Sequence, residues 1–164
     1  FSKHLKENYI QRAKTVLYLM ENHPNDFTFA YFPGAGYLKY LYYPFDKEDS
    51  INYDYVTEKY SYLVEEYYIF LDQFLKKIEE MYGNDTIIIL VSDHGVGPCD
   101  KEWCCNAQDF CRAKTTHTPG GVFIKYPQDN GQKEVGSIYD YDLLPIVLNL
   151  YDIKKPKNLP GTII

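Results

Sequence analysis

Residues 86–98 read TIIILVSDHGVGP. An apolar run from Ile87 to Val91 gives way to Ser92, Asp93, His94 and Gly95. An unbroken β-favouring run predicts a strand over 86–92 with both faces covered, as in a sheet flanked by helices. Neighbouring side chains in a strand point to opposite faces. Asp93 and His94 can therefore face one ion only if the chain leaves the strand there, and Gly95 and Gly97 supply the freedom to turn. A carboxylate beside an imidazole is a good donor pair for zinc or manganese. A capped turn with a hydrogen-bonded histidine would carry the same residues, so this motif needs support from elsewhere in the chain.

Upstream, Leu5, Tyr9, Ala13, Val16, Leu17 and Met20 recur at three- and four-residue steps, which predicts an amphipathic helix. His23-Pro24-Asn25-Asp26 ends it. FTFAYF (27–32) is aromatic and reads as a strand, closed by a loop at Pro33-Gly34-Ala35-Gly36. The longest helix runs from about Tyr53 to Tyr82, with one apolar stripe through Val56, Tyr60, Leu63, Val64, Tyr67, Phe70, Leu71, Phe74, Ile78 and Met81. Gly83-Asn84 stops it in left-handed backbone. Downstream, GVFIKYP (121–127) is a further strand, and KEVGSIY (133–139) a short extended piece. A last helix carries Leu143, Leu144, Val147 and Leu148, with Asp142 as its cap and Pro145 in its first turn. Helix–strand–helix–strand order indicates an α/β fold, part of a parallel sheet flanked by helices, with residues 1–164 as a single unit. Ligands of such folds gather beyond the carboxyl ends of the strands, where Asp93, His94 and the loop of Gly36 would lie.

The chain is 45% hydrophobic and 24% charged, so it can bury a core. Its net charge of −6 and the lack of a basic stripe argue against a nucleic-acid-binding surface. No apolar run approaches the roughly 20 residues of a membrane span. The eighteen tyrosines read as packing residues whose rings bury while their hydroxyls reach water. All four cysteines, Cys99, Cys104, Cys105 and Cys111, lie in one short stretch. Disulfides, a zinc knot or free thiols could each account for them, and disulfides are favoured. Asn84-Asp85-Thr86 is a glycosylation sequon, which also leans toward a secreted, cell-surface or lumenal protein. The chain begins at Phe1 rather than methionine and reads as a piece of something longer.

A second motif follows in THTPGGVFI (116–124), where His117 precedes a Pro-Gly-Gly turn and a strand. It lies 23 positions after His94, so the turn can return it to the same strand ends. A third pattern, D-x-x-P-x-x-L-x-L-x-x-I-x-x-P-x-x-L-x-G, occupies 142–161. TIIILVSDHG, then H-x-x-x-G-V-F-I, then this pattern together resemble the C-terminal half of the alkaline phosphatase superfamily. The nearest group is the type I phosphodiesterase/nucleotide pyrophosphatase family, from about Phe27 to the end. The resemblance implies an alkaline phosphatase-like core lacking its N-terminal half. It implies two metal ions, zinc by custom, flanking a threonine or serine nucleophile. Asp93 and His94 would belong to one ion and His117 to the other, with a phosphoester as substrate. Asp142, Pro145, Leu148, Pro156 and Gly161 would be structural.

Two positions depart from the family pattern Y-x-P-G-x-D-x-x-x-H. Here that stretch is YFPGAGYLKY (31–40), which sets Gly36 where the aspartate belongs and Tyr40 where the histidine belongs. Glycine has no donor, and a phenol ionises near pH 10. No threonine or serine here sits in the nucleophile motif, so the nucleophile is expected in a missing N-terminal segment. Two functions follow: a metal-dependent phosphodiesterase or phosphohydrolase with a partly degenerate metal site, or a catalytically inactive phosphatase-like scaffold that binds a partner. For the second, the YLKYLYYP stretch (37–44), read as a tyrosine-rich loop, is the candidate contact surface, and packing over the long helix is its plainer role.

Overall fold

The computed structural model describes residues 2–42, 59–98, 115–126 and 137–163. In chain order they form α1 (Ser2–Asn22), α2 (Gly34–Tyr42), α3 (Tyr62–Tyr82), a 3-10 turn (Gly83–Asp85), β1 (Ile88–Val91), β2 (Gly95–Pro98), β3 (Thr115–Thr118), β4 (Phe123–Tyr126), a second 3-10 turn (Asp140–Asp142) and α4 (Leu143–Leu150). The chain groups into two compact units, one of Phe1–Thr86 with His94–Pro119, the other of Ile87–Asp93 with Gly120–Ile164. The cysteine stretch, and most of KEVGSIY, lie outside the described residues. So do residues 53–58, the expected start of the long helix. Among the described residues no helix is long and apolar enough to cross a membrane.

The first unit is built on α3, whose stripe buries Val64, Tyr67, Phe74 and Ile78. Tyr9 of α1 and Leu38 of α2 complete a core with Val64 and Tyr67, and Ala35, Leu63, Phe70 and Leu71 pack around it. The Tyr9 and Tyr67 rings meet edge to face at 4.7 Å. Both of their hydroxyls are buried with no hydrogen-bond partner, so the expectation that tyrosine hydroxyls reach water fails at these two. Burial pushes the Tyr67 phenol well above its ordinary range; the Gly34 backbone beside it opposes the shift, without the geometry of a hydrogen bond. At the far end of α3 the Tyr82 hydroxyl donates to the Met20 carbonyl at 2.7 Å. Gly83 then stops the helix with φ +56°, its N–H bonded to the Glu79 carbonyl. Its ψ of −135° lies outside the left-handed helical region that was expected.

Two local expectations are corrected here. FTFAYF forms no strand, since no second chain pairs with it among the described residues. Phe29 is 77% exposed, and the Tyr31 carbonyl is taken by the Arg12 side chain at 2.9 Å rather than by a ladder. Only Phe32 turns inward, 4.9 Å from the Phe74 ring. The Pro33–Gly36 stretch is not a loop but the start of α2, so YLKYL continues a helix. Proline before the first turn suits a helix start, because its fixed φ needs no N–H there. Gly34 answers a packing demand: a Cβ would come within 2.4 Å of the Tyr67 ring. At Gly36 a Cβ would meet nothing within 4 Å.

The second unit pairs β1 with β4, Ile88 opposite Tyr126 and Val91 opposite Phe123. The pairing is antiparallel, and so is that of β2 with β3. The parallel sheet expected from element order is therefore not found among the described residues, although mixed helix and strand is. An apolar run identifies a strand but carries no information on partner direction. Nor is β1 covered on both faces, with Leu90 39% exposed. Further along, Asp142 is only 3% exposed. Its side chain does not cap α4 as expected; it accepts the Tyr139 N–H at 2.8 Å and the Thr162 N–H at 2.6 Å. Pro145 is fully buried in the first turn of α4. Gly161, at φ +94°, lies against the Tyr141 carbonyl.

The two glycines opening α2 should separate in a denaturation experiment. Gly34→Ala is expected to lose about 1–3 kcal/mol, because the new methyl meets the Tyr67 ring. Gly36→Ala, in open space, is expected to be neutral or to gain up to about 1 kcal/mol from reduced chain entropy. Urea unfolding curves for the two variants check this, and equal effects would refute the packing account.

Candidate functional site

The antiparallel pairing of β2 with β3 places Gly95 opposite Thr118, Val96 opposite His117 and Gly97 opposite Thr116. His94 stands two positions before Val96 and is thus the diagonal neighbour of His117 on the same face. Their rings accordingly lie 3.7 Å apart, centroid to centroid, at an interplanar angle of 30°. Close approach here needs small residues. A Cβ at Gly97 would come within 2.5 Å of the Thr118 methyl carbon. Gly95 and Gly97 are therefore strand residues and not the turn residues expected, and neither has a positive φ. The turn after β3 is the expected one, with Gly120 at φ +88°.

His94 Nδ1 lies 2.8 Å from the Gly95 carbonyl oxygen. A carbonyl can only accept, so Nδ1 carries the proton and Nε2 is the lone-pair nitrogen of the neutral ring. This is the arrangement by which a backbone carbonyl fixes a ligating histidine's tautomer. A neutral imidazole nitrogen is a donor for divalent cations, so the donor chemistry of the pair fits such ions.

Asp93 is exposed at the end of the second unit's first segment, directly before His94. Among the described residues no group of three or more His, Cys, Asp or Glu side chains forms a metal-holding cluster. Gly36 and Tyr40 both lie on α2, four residues and thus one turn apart on one helix face. Helix α2 packs beside β2 and β3, within the unit that holds His117. The remaining histidines have surface partners. His4 lies 3.5 Å from Glu7, and the His23 ring meets Tyr18 edge to face at 6.2 Å.

A cavity of about 70 Å³ lies among Tyr9, Ile10, Leu38, Leu63, Tyr67 and Phe70. It falls well below the roughly 300–1,000 Å³ of small-molecule sites, and the exposed Lys6 and Glu66 also line it, so it does not mark a ligand site. Sequence reasoning also passed over Ser92 and Gly121. Ser92 N–H donates to the Val122 carbonyl at 2.9 Å, and the Ser92 hydroxyl accepts the Val122 N–H at 2.8 Å. Its position directly before Asp93 was the only available signal.

Comparison with protein-family models matches residues 1–156 to type I phosphodiesterase / nucleotide pyrophosphatase. The match reaches further toward the amino terminus than the motifs alone, which begin near Phe27, and stops short of Gly161. Comparisons with curated proteins and with solved structures return no match. With the match covering nearly the whole sequence, the chain belongs to the type I phosphodiesterase/nucleotide pyrophosphatase family.

Proposed function

We propose that the chain forms the metal-binding part of a phosphoester hydrolase, a phosphodiesterase or related phosphohydrolase, with a partly degenerate second metal site. Asp93 and His94 serve one divalent cation, zinc or manganese, and His117 serves the other. The observation that carries this is the face-to-face His94–His117 pair, joined across 23 residues by the β2–β3 register in a chain of this family. The Nδ1–H bond from His94 to the Gly95 carbonyl holds its ring in the ligating tautomer. Bound ions in such a pair polarise the phosphoryl oxygens and lower the pKa of the attacking group. The nucleophile is supplied by sequence beyond these 164 residues.

A second role, a non-catalytic scaffold that binds a partner, is favoured by Gly36 and Tyr40, which leave His117 without two of its expected companions. The two roles separate in an assay of the full-length protein on bis(4-nitrophenyl) phosphate with added zinc or manganese. An enzyme should turn over. Asp93→Ala and His117→Ala should each cost more than the roughly 10–100-fold typical of losing a ligand's outer partner. Turnover unaffected by either substitution removes the metal roles of Asp93 and His117, and no turnover in the wild type removes the enzymatic role.

Restoring the family donors tests the degenerate site directly. The Gly36→Asp, Tyr40→His double variant should bind one more zinc ion per chain than the wild type, measured by elemental analysis after dialysis. The open space around Gly36 admits the new side chain. An unchanged stoichiometry would show that α2 does not face the ion of His117.

We also propose a secreted, cell-surface or lumenal location, supported by the clustered cysteines and the Asn84 sequon. Mass spectrometry of the alkylated, non-reduced protein should find Cys99, Cys104, Cys105 and Cys111 unmodified. Four alkylated thiols would contradict it.

A further inference from the structure

We propose that Ser92 and Gly121 form a clasp that positions Asp93 for its cation; this rests on the metal-binding role given to Asp93 above. The β1–β4 ladder ends at Val91 opposite Phe123. The next pair would be Ser92 with Val122, and only half of that rung is regular. Ser92 N–H donates to the Val122 carbonyl at 2.9 Å, as a strand residue would. The return bond goes elsewhere: Val122 N–H donates to the Ser92 hydroxyl at 2.8 Å instead of to the Ser92 carbonyl. In an ordinary antiparallel rung the two residues exchange both backbone bonds, which holds both chains in the ladder. Exchanging the carbonyl for a hydroxyl keeps the two chains joined while the Ser92 peptide departs from ladder geometry.

That carbonyl sits against Gly121. A Cβ there would lie 2.1 Å from the Ser92 oxygen and 2.9 Å from the Ser92 hydroxyl oxygen, so only glycine permits the approach. Gly121 has no positive φ, and its requirement is therefore space alone. The clasp closes at the residue directly before Asp93. It fixes where the peptide preceding that carboxylate leaves the strand, which is the step the alternation of strand side chains makes necessary. Any other residue at 92 without a hydroxyl would either continue the strand through Asp93 or leave the exit undefined. Val122 is largely exposed, so its N–H can turn to water when the hydroxyl is removed. Loss of the clasp should therefore show in the placement of Asp93 more than in folding.

The test is zinc affinity of the full-length protein by isothermal titration calorimetry, with the thermal midpoint of the metal-free protein read beside it. Ser92→Ala should weaken the site roughly 10–100-fold, as loss of a positioning partner does. The metal-free midpoint should stay within about 4 °C. Ser92→Thr, which keeps the hydroxyl, should restore affinity to within about threefold, and Gly121→Ala should weaken it as Ser92→Ala does. Asp93→Asn is the control. If Asp93→Asn weakens binding while Ser92→Ala does not, the clasp is overturned and the metal role stands. A Ser92→Ala midpoint that falls by more than about 10 °C, with no rescue by threonine, also overturns it, since the residue then only supports the fold. If the wild type binds no zinc, or Asp93→Asn binds as well as the wild type, the metal role falls and the clasp with it.

Discussion

The register that sets Val96 opposite His117 is the constraint on which the candidate site depends. The rungs on either side are held by size as well as by hydrogen bonds. Gly97 admits the Thr118 methyl at a distance no side chain would tolerate. A slip of one residue would send every side chain of β3 to the opposite face and separate the two imidazoles. The 3.7 Å ring contact follows from this backbone pairing. The same pairing brings α2, with Gly36 and Tyr40, beside the strand that carries His117.

How much of this could be read in the sequence follows from what side-chain patterns encode. The helical stripes were legible, because a period near 3.6 is a direct image of one buried face. The predicted start at Leu5 lies within α1, and the burial of Val64, Tyr67, Phe74 and Ile78 follows the stripe, while Met81 at its end is 40% exposed. The strands 88–91 and 123–126 were legible as extended runs, but their partner and direction were not, since neither is written in the alternation of a single run. FTFAYF has high β-propensity, yet propensity measures fit to a pleated surface, and no second strand lies beside it among the described residues. The approach of His117 to His94 was legible through their spacing across the Pro-Gly-Gly turn. Ser92 was not, because a serine at a strand end is ordinary turn chemistry until the Val122 N–H is seen to choose its hydroxyl.

The two units treat buried polar groups in opposite ways. Asp142 is satisfied by two backbone N–H groups, and Lys155 donates to the Leu159 and Gly161 carbonyls at 2.6 Å each, so the chain after α4 is tied back by polar contacts. The first unit instead buries the Tyr9 and Tyr67 hydroxyls with no partner, at a cost of about 1–3 kcal/mol for each buried unpaired group. Their rings offset this through edge-to-face contact and burial of apolar area. Tyrosine in this core therefore acts as a large ring with a liability attached.

Glycine gives the last distinction. Gly34, Gly97 and Gly121 are each demanded by a neighbour that would collide with a Cβ: the Tyr67 ring, the Thr118 methyl and the Ser92 carbonyl. Gly120 and Gly161 are demanded by a positive φ. Gly36 meets neither requirement. It has open space around it, it has no positive φ, and it lies in a helix, where glycine costs roughly 0.5–1 kcal/mol against alanine. Folding does not explain its presence at the position where the family pattern has an aspartate. The glycine at 36, one helical turn from Tyr40, is thus required by neither packing nor backbone conformation. Under the roles proposed above, it would distinguish the cation assigned to Asp93 and His94 from the one assigned to His117.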